Sequence, residues 1–165
     1  MVTSLHTVLW SLAALGCGLM AGVFAAFSLF VMRGLGALPP AEGAGAMQAV
    51  NRAALRPPFM ALFFGTALAC AAAAVTAGRG WAEPGAMAAL AGALVYLAGG
   101  FGLTAVCNVP LNERLAAVRP GSPEASALWA HYLVAWTRWN HLRLAASAAA
   151  ALLLGAGAAG LSQSP

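Results

Sequence analysis

Four apolar stretches, at about 6 to 32, 58 to 78, 86 to 107 and 142 to 161, constrain this chain more than any short motif in it. Each is long enough to cross a hydrocarbon core, which takes roughly 20 residues in helical form. Lipid offers the backbone no hydrogen-bond partners, so only helices or closed barrels can span it, and continuous Ala, Leu and Gly runs lack the alternation of barrel strands. The remaining composition fits: 62% of the 165 residues are hydrophobic and 7% are charged, where a soluble domain carries roughly a quarter charged. The expectation is one all-α domain over 1–165, an integral membrane four-helix bundle.

Arginine placement gives an orientation. Arg33, Arg52 and Arg56 fall between the first two stretches, and Arg114, Arg119 and Arg138 between the last two, with Arg143 just inside the fourth. Arg79 alone lies in the other connection. The positive-inside rule then puts connections 33–57 and 108–141 in the cytoplasm and both termini outside. The chain has no Lys, Asp or Ile but is rich in Ala, Gly and Arg, a usage that points to a GC-rich bacterial genome and hence the bacterial inner membrane. The first stretch has no basic segment before it, so it reads as a retained helix rather than a signal peptide. A net charge of +4 does not imply nucleic acid here, because the arginines sit at helix ends and form no basic stripe.

Cys17, Cys70 and Cys107 lie in three different apolar stretches with no metal-type spacing, and read as packing residues. Gly18 and Gly22 of GLMAG and the glycines of AGGFG read as points of close helix approach. His6 stands near one helix end, while His131 and His141 are ten apart on one helix, roughly 15 Å along its axis, so one helix cannot bring both to one ion. With no HExxH and no Asp, no metal or prosthetic group is called for.

The connections carry the polar chemistry. Pro39 and Pro40 can start a short interfacial helix that Pro57 ends, with Met47, Val50, Ala54 and Leu55 as its buried face and Asn51 and Arg52 beside it. Pro110 should bend the third helix as it leaves the bilayer, and Asn108 and Asn112, four apart, would share a face. Ser122, followed by Pro123 and Glu124, reads as the cap of a helix running into the fourth stretch. At nearly 40 residues it would be about 58 Å long, so its first half must project, bend or lie along the surface. On that half Trp129, Tyr132, Trp136 and Trp139 recur at helical spacing, continued by Asn140 and Arg143. A membrane-interface belt accounts for Trp129 and Tyr132; Trp136 and Trp139, interleaved with Arg138, Asn140, His141 and Arg143, suit stacking on a flat aromatic ligand. Asn51, Asn108, Asn112 and Asn140 all fall at the same end of the bundle, where amides can bind a phenolic or enolate oxygen, or can simply brace helix ends.

These pieces, NVPLNERLAAV and WAHYLVAWTRWNHLR preceded by AGVFAAFSLFVM and AMQAVNRAALRPPFM, resemble the anthrone oxygenase family, a four-helix membrane family. The resemblance covers nearly the whole chain and is most specific in N-V-P-x-N and W-x-x-W-N-H-x-R. It implies oxidation of an anthrone-like aromatic by dioxygen without a prosthetic group: deprotonation of an acidic CH gives an electron-rich enolate that can reduce dioxygen. For that chemistry His141 is the candidate base. Arg143, Asn140, Asn108 and Asn112 are candidate oxyanion donors, and Trp136, Trp139, Tyr132, Asn51 and Arg52 are candidate substrate contacts. The expected partners are membrane lipid and an aromatic small molecule, and a homo-oligomer is compatible with the pattern. The alternative from another class is a membrane binding or accessory protein whose aromatic, basic mouth holds a quinone, a lipid or a partner subunit without turnover.

Overall fold

The computed structural model describes residues 2–162 of the backbone, and side chains within 5–160. It is helical throughout, with no strand among the described residues. In chain order the helices are α1 (Val2–Ala26), α2 (Met32–Gly36), α3 (Pro40–Ala54), α4 (Pro57–Arg79), α5 (Ala86–Val95), α6 (Val109–Ala116) and α7 (Pro123–Ser162). A π-helical turn, Phe27–Val31, joins α1 to α2, and two more, Tyr96–Gly102 and Thr104–Asn108, join α5 to α6. Four continuous rods therefore result, each long and apolar enough to cross a membrane: Leu5–Gly36, Pro57–Arg79, Ala86–Ala116 and Pro123–Gly160.

The rods form a closed ring in which α1 packs on α4, α4 on α5, α5 on α7 and α7 back on α1. Buried residues recur alternately three and four apart, as Trp10, Ala13, Cys17, Met20 and Phe24 do on α1, and Ala86, Ala89, Ala93 and Tyr96 on the third rod. This is the spacing that keeps one seam of a helix facing its partners in a shallow-angle bundle. The outer face is apolar as well: Leu5, Val8, Leu12, Leu15 and Leu19 form a second, exposed stripe on α1. A helix apolar on both faces has lipid, not water, around it. Gly18 and Gly22 belong to that outward face, and a methyl group added to either would meet nothing, which corrects their reading as bundle contacts. In AGGFG, by contrast, Gly99 lies against Ala146 and Gly100 against Tyr96 and Ser147.

A second core stands beyond one end of the bundle, built from Met32, Ala44, Met47, Leu111, Leu115, Trp129, Tyr132 and Trp136. It resolves the length problem of α7: the helix begins at Pro123, capped by Ser122 Oγ on Ala125 N–H, and runs 40 residues unbroken, its first half sheathed by α3 and α6. Trp129 and Tyr132 are thus interior residues of this cap, not a lipid-interface belt. On α3 the buried face is Gly43, Ala44, Met47 and Gln48. Leu55 is exposed, because Pro57 ends the helix before a further turn can carry it inward. Gln48 Nε2 donates to the Leu115 and Val118 carbonyls at 2.7 and 3.0 Å, so α3 satisfies the orphan acceptors at the end of α6. The third rod runs through Pro110 to Ala116 rather than stopping near 107. Pro110 falls in the first turn of α6, directly after a π turn, where its missing N–H costs the helix least.

Candidate functional site

The polar residues of the bundle lie in its seam, where α7 passes from the cap into the membrane-crossing bundle. Along α7 the inward positions read Trp129, Tyr132, Trp136, Asn140, Arg143 and Ser147, all buried. The aromatic stripe and the polar stripe are therefore one stripe.

Its upper part is an aromatic ladder. Trp129, Tyr132 and Trp136 stack with centroids 5.7 and 6.1 Å apart and planes within 20°. Asn112 fixes the ladder from α6: its Oδ1 accepts from the Tyr132 hydroxyl at 2.6 Å and from Trp136 Nε1 at 2.9 Å. Asn108, one turn earlier, donates from Nδ2 to the Trp136 carbonyl at 3.3 Å. The two asparagines of NVPLN thus grip both ends of one tryptophan, sharing a face as the spacing of four requires. From α3, Asn51 Nδ2 approaches the Tyr132 hydroxyl at 3.4 Å.

The lower part surrounds a buried cation. Arg143 is 4% exposed, with its guanidinium carbon 4.4 Å from the Phe24 ring centre and 4.9 Å from that of Trp136. Nη1 donates to Thr104 Oγ1 at 3.2 Å and Nη2 to Asn140 Oδ1 at 2.7 Å. All of these partners are neutral. Among the described residues the one ion pair joins His6 to Glu83, on the connection at the opposite end of the bundle. Arg143 Nε and Asn108 Oδ1, a donor and an acceptor, are buried without a protein partner.

Asn140 carries this network outward. Its Nδ2 donates to the Phe24 carbonyl and to Ser28 Oγ, both at 2.8 Å, and Ser28 Oγ lies 2.9 Å from His141 Nδ1. Ser28 sits in the π turn Phe27–Val31 and Thr104 opens the π turn Thr104–Asn108. A π turn inserts a residue into the helical ladder and re-aims the side chains around it; here both insertions turn a hydroxyl towards the α7 seam.

His141 itself is exposed, on a ridge between two grooves. One, of about 390 Å³, is lined by Ala135, Arg138, Trp139, His141 and Leu142. The other, of about 310 Å³, includes Ser28, Arg33, Leu133, Thr137 and His141. Asn51, Asn108, Asn112, Tyr132, Trp136, Asn140 and Arg143 therefore converge in one network, buried except at the half-buried Asn51 and Asn112, and His141 reaches it through Ser28. Trp139 faces the first groove beside His141, and Arg52 is exposed on α3 and joins neither group. Both N–H groups of Asn140 are already committed inside the protein, so in this arrangement it orients Ser28 and cannot donate to a ligand in the groove.

Sequence reasoning missed Ser28, Thr104 and Phe24. Thr104 had a usable signal, lying four residues before Asn108 and so on its face; Ser28 had none, being one hydroxyl in an apolar run. Glu113 is exposed, and the group within hydrogen-bond reach of His141 Nδ1 is Ser28 Oγ. Among the described residues no group of three or more His, Cys, Asp or Glu side chains could hold a metal ion.

A family model described as anthrone oxygenase matches residues 59–153. The match takes in Thr104, Asn108, Asn112 and the whole Tyr132 to Arg143 stripe, and leaves out α1, with Phe24 and Ser28, and α3. No curated protein and no solved structure gave a significant match. A helical membrane protein with this match over more than half its length belongs to the anthrone oxygenase family.

Proposed function

We propose that the protein oxidises an electron-rich, phenolic aromatic ketone of the anthrone type with dioxygen, and that the substrate lies in the groove between Trp139 and His141. The observation that carries this reading is the hydrogen-bonded line from the exposed His141 through Ser28 and Asn140 to the buried Arg143. Ser28 Oγ has two lone pairs. One accepts from Asn140 Nδ2–H; the mechanism uses the tautomer in which His141 Nδ1–H donates to the other across 2.9 Å, so that the Nε2 lone pair faces the groove. A flat substrate against Trp139 presents its acidic CH to that lone pair, and the polyaromatic rings rest on Leu142 and Ala135.

Nε2 removes the proton, leaving an enolate whose charge spreads over the rings. The enolate passes one electron to dioxygen, the resulting carbon radical and superoxide combine, and the imidazolium returns its proton to the peroxide. Loss of water completes the change of a CH₂ group and O₂ into a carbonyl and H₂O. Arg138 at the groove and the uncompensated charge of Arg143 behind it favour the anionic stages, the latter through a low-dielectric interior where a charge acts strongly. Arg143, Asn140 and Ser28 are positioning residues in this scheme, and His141 is the catalytic base.

The positive-inside pattern supports placing this end of the bundle on the cytoplasmic side of a bacterial inner membrane, with both termini outside. Dioxygen uptake by the purified protein supplied with an anthrone tests the function. Uptake well above the detergent blank is expected; a rate equal to the blank contradicts the reading and favours the non-catalytic binding role.

A further inference from the structure

We infer that Cys17 and Cys70 form a dithiol that a hydroperoxide converts into a disulfide joining α1 to α4. The two thiols are fully buried and in contact, with 3.5 Å between sulfurs. Neither belongs to the polar network around Arg143. Cys107, the third cysteine, is half-buried and stands apart on the third rod.

Small side chains line the crossing of the helices that carry the pair. Packed helices ordinarily stand about 8 to 10 Å apart, whereas a disulfide requires Cα atoms within roughly 7 Å. Here the crossing is lined by Ala13 and Cys17 on one side and by Ala67, Cys70 and Ala73 on the other, all buried. Gly16, the neighbour of Cys17, is pressed so near α4 that a methyl group added to it would lie 2.6 Å from Thr66 Oγ1. Both cysteines therefore sit at a crossing lined largely by small side chains. Bond formation needs the sulfurs to close from 3.5 Å to about 2.05 Å.

Burial selects the oxidant. A hydrophilic thiol-disulfide reagent or a redox protein has no path to this position, so the oxidant inferred is a small bilayer-soluble hydroperoxide, which partitions into the apolar surroundings of the bundle. One thiol attacks the terminal oxygen, the O–O bond breaks and an alcohol leaves, which makes a sulfenic acid. The second thiol then displaces the hydroxyl as water and forms the S–S bond. In sum, two thiols and one hydroperoxide give a disulfide, an alcohol and water, with two electrons passing from sulfur to oxygen. The inference does not depend on the substrate assigned above.

Membranes containing the full chain are treated with tert-butyl hydroperoxide, then denatured in the presence of a maleimide, and adducts are counted by intact mass. Untreated protein should take a maleimide at each of its three cysteines. Treated protein should keep only the Cys107 adduct, lose the mass of two hydrogens and yield a cross-linked peptide pair containing residues 17 and 70. Cys70→Ser should yield no cross-linked pair and no loss of two hydrogens through the same treatment. Full labelling of the treated wild type, a gain of oxygen mass in place of the cross-link, or the same loss of two hydrogens in Cys70→Ser would each overturn the inference.

Discussion

His141 and Arg143 are two residues apart on α7 and point in different directions, and the chemistry depends on that division. His141 is open to the groove, so His141→Ala should lower turnover by roughly a hundredfold or more, the usual contribution of a positioned general base, with the melting temperature unchanged. Oxygen uptake and a thermal melt on the same preparation check both halves. Arg143 is the opposite case: a buried cation with neutral partners, and desolvating such a charge costs several kcal/mol. Arg143→Met should therefore melt at the same temperature or higher while turnover falls. A loss of stability would show that the guanidinium is a structural strut. Asn112 has a purely bracing geometry. Asn112→Leu leaves the indole N–H unpaired and the Tyr132 O–H without its acceptor, at about 1 to 3 kcal/mol for a buried group left unsatisfied, measurable as a fall in the denaturation midpoint.

At the level of elements, the cap depends on how closely α3 lies against α2 and α7. Gly43 permits this: a methyl group there would stand 2.7 Å from the Leu35 carbonyl and 2.9 Å from the Trp129 ring. A backbone carbonyl cannot easily yield, so Gly43→Ala should cost about 1 to 3 kcal/mol by overpacking and loosen α3. Faster tryptic cleavage after the exposed Arg52 would report it. The elements show what was readable beforehand. Apolar length gave the four rods, and proline and serine placement gave the starts of α3 and α7, because these are local constraints. The spacing of Asn108 and Asn112 foretold their common face, and the three- and four-residue steps from Trp129 to Arg143 foretold the stripe. The π turns were not readable. Each exists because tertiary packing on α7 outweighs the local preference for an α ladder, and they decide that Ser28 and Thr104 face the seam. Trp139 departed from the stripe for a simpler reason: position 139 lies three residues after Trp136, but Asn140 takes the inward place one step further on, so the indole turns to the groove.

For the whole molecule, an apolar bundle with a second, aromatic core at one end places all the polar machinery at the junction between them. If that end is cytoplasmic, a cysteine introduced at exposed Arg119 in a cysteine-free background should resist an impermeant maleimide in intact cells and react after lysis. One introduced at exposed Trp81, in the opposite connection, should react in intact cells, and the reverse pattern would invert the proposed orientation. The central claim is that His141, held by Ser28 and Asn140, takes a proton from a carbon acid in the groove. Its most direct test removes the oxidant. Without dioxygen, in deuterated water, the purified protein should speed exchange of the acidic CH of an anthrone above the detergent blank, with His141→Ala reduced to the blank. Exchange that is equally fast with His141→Ala, or no faster with the wild type than without protein, would contradict it.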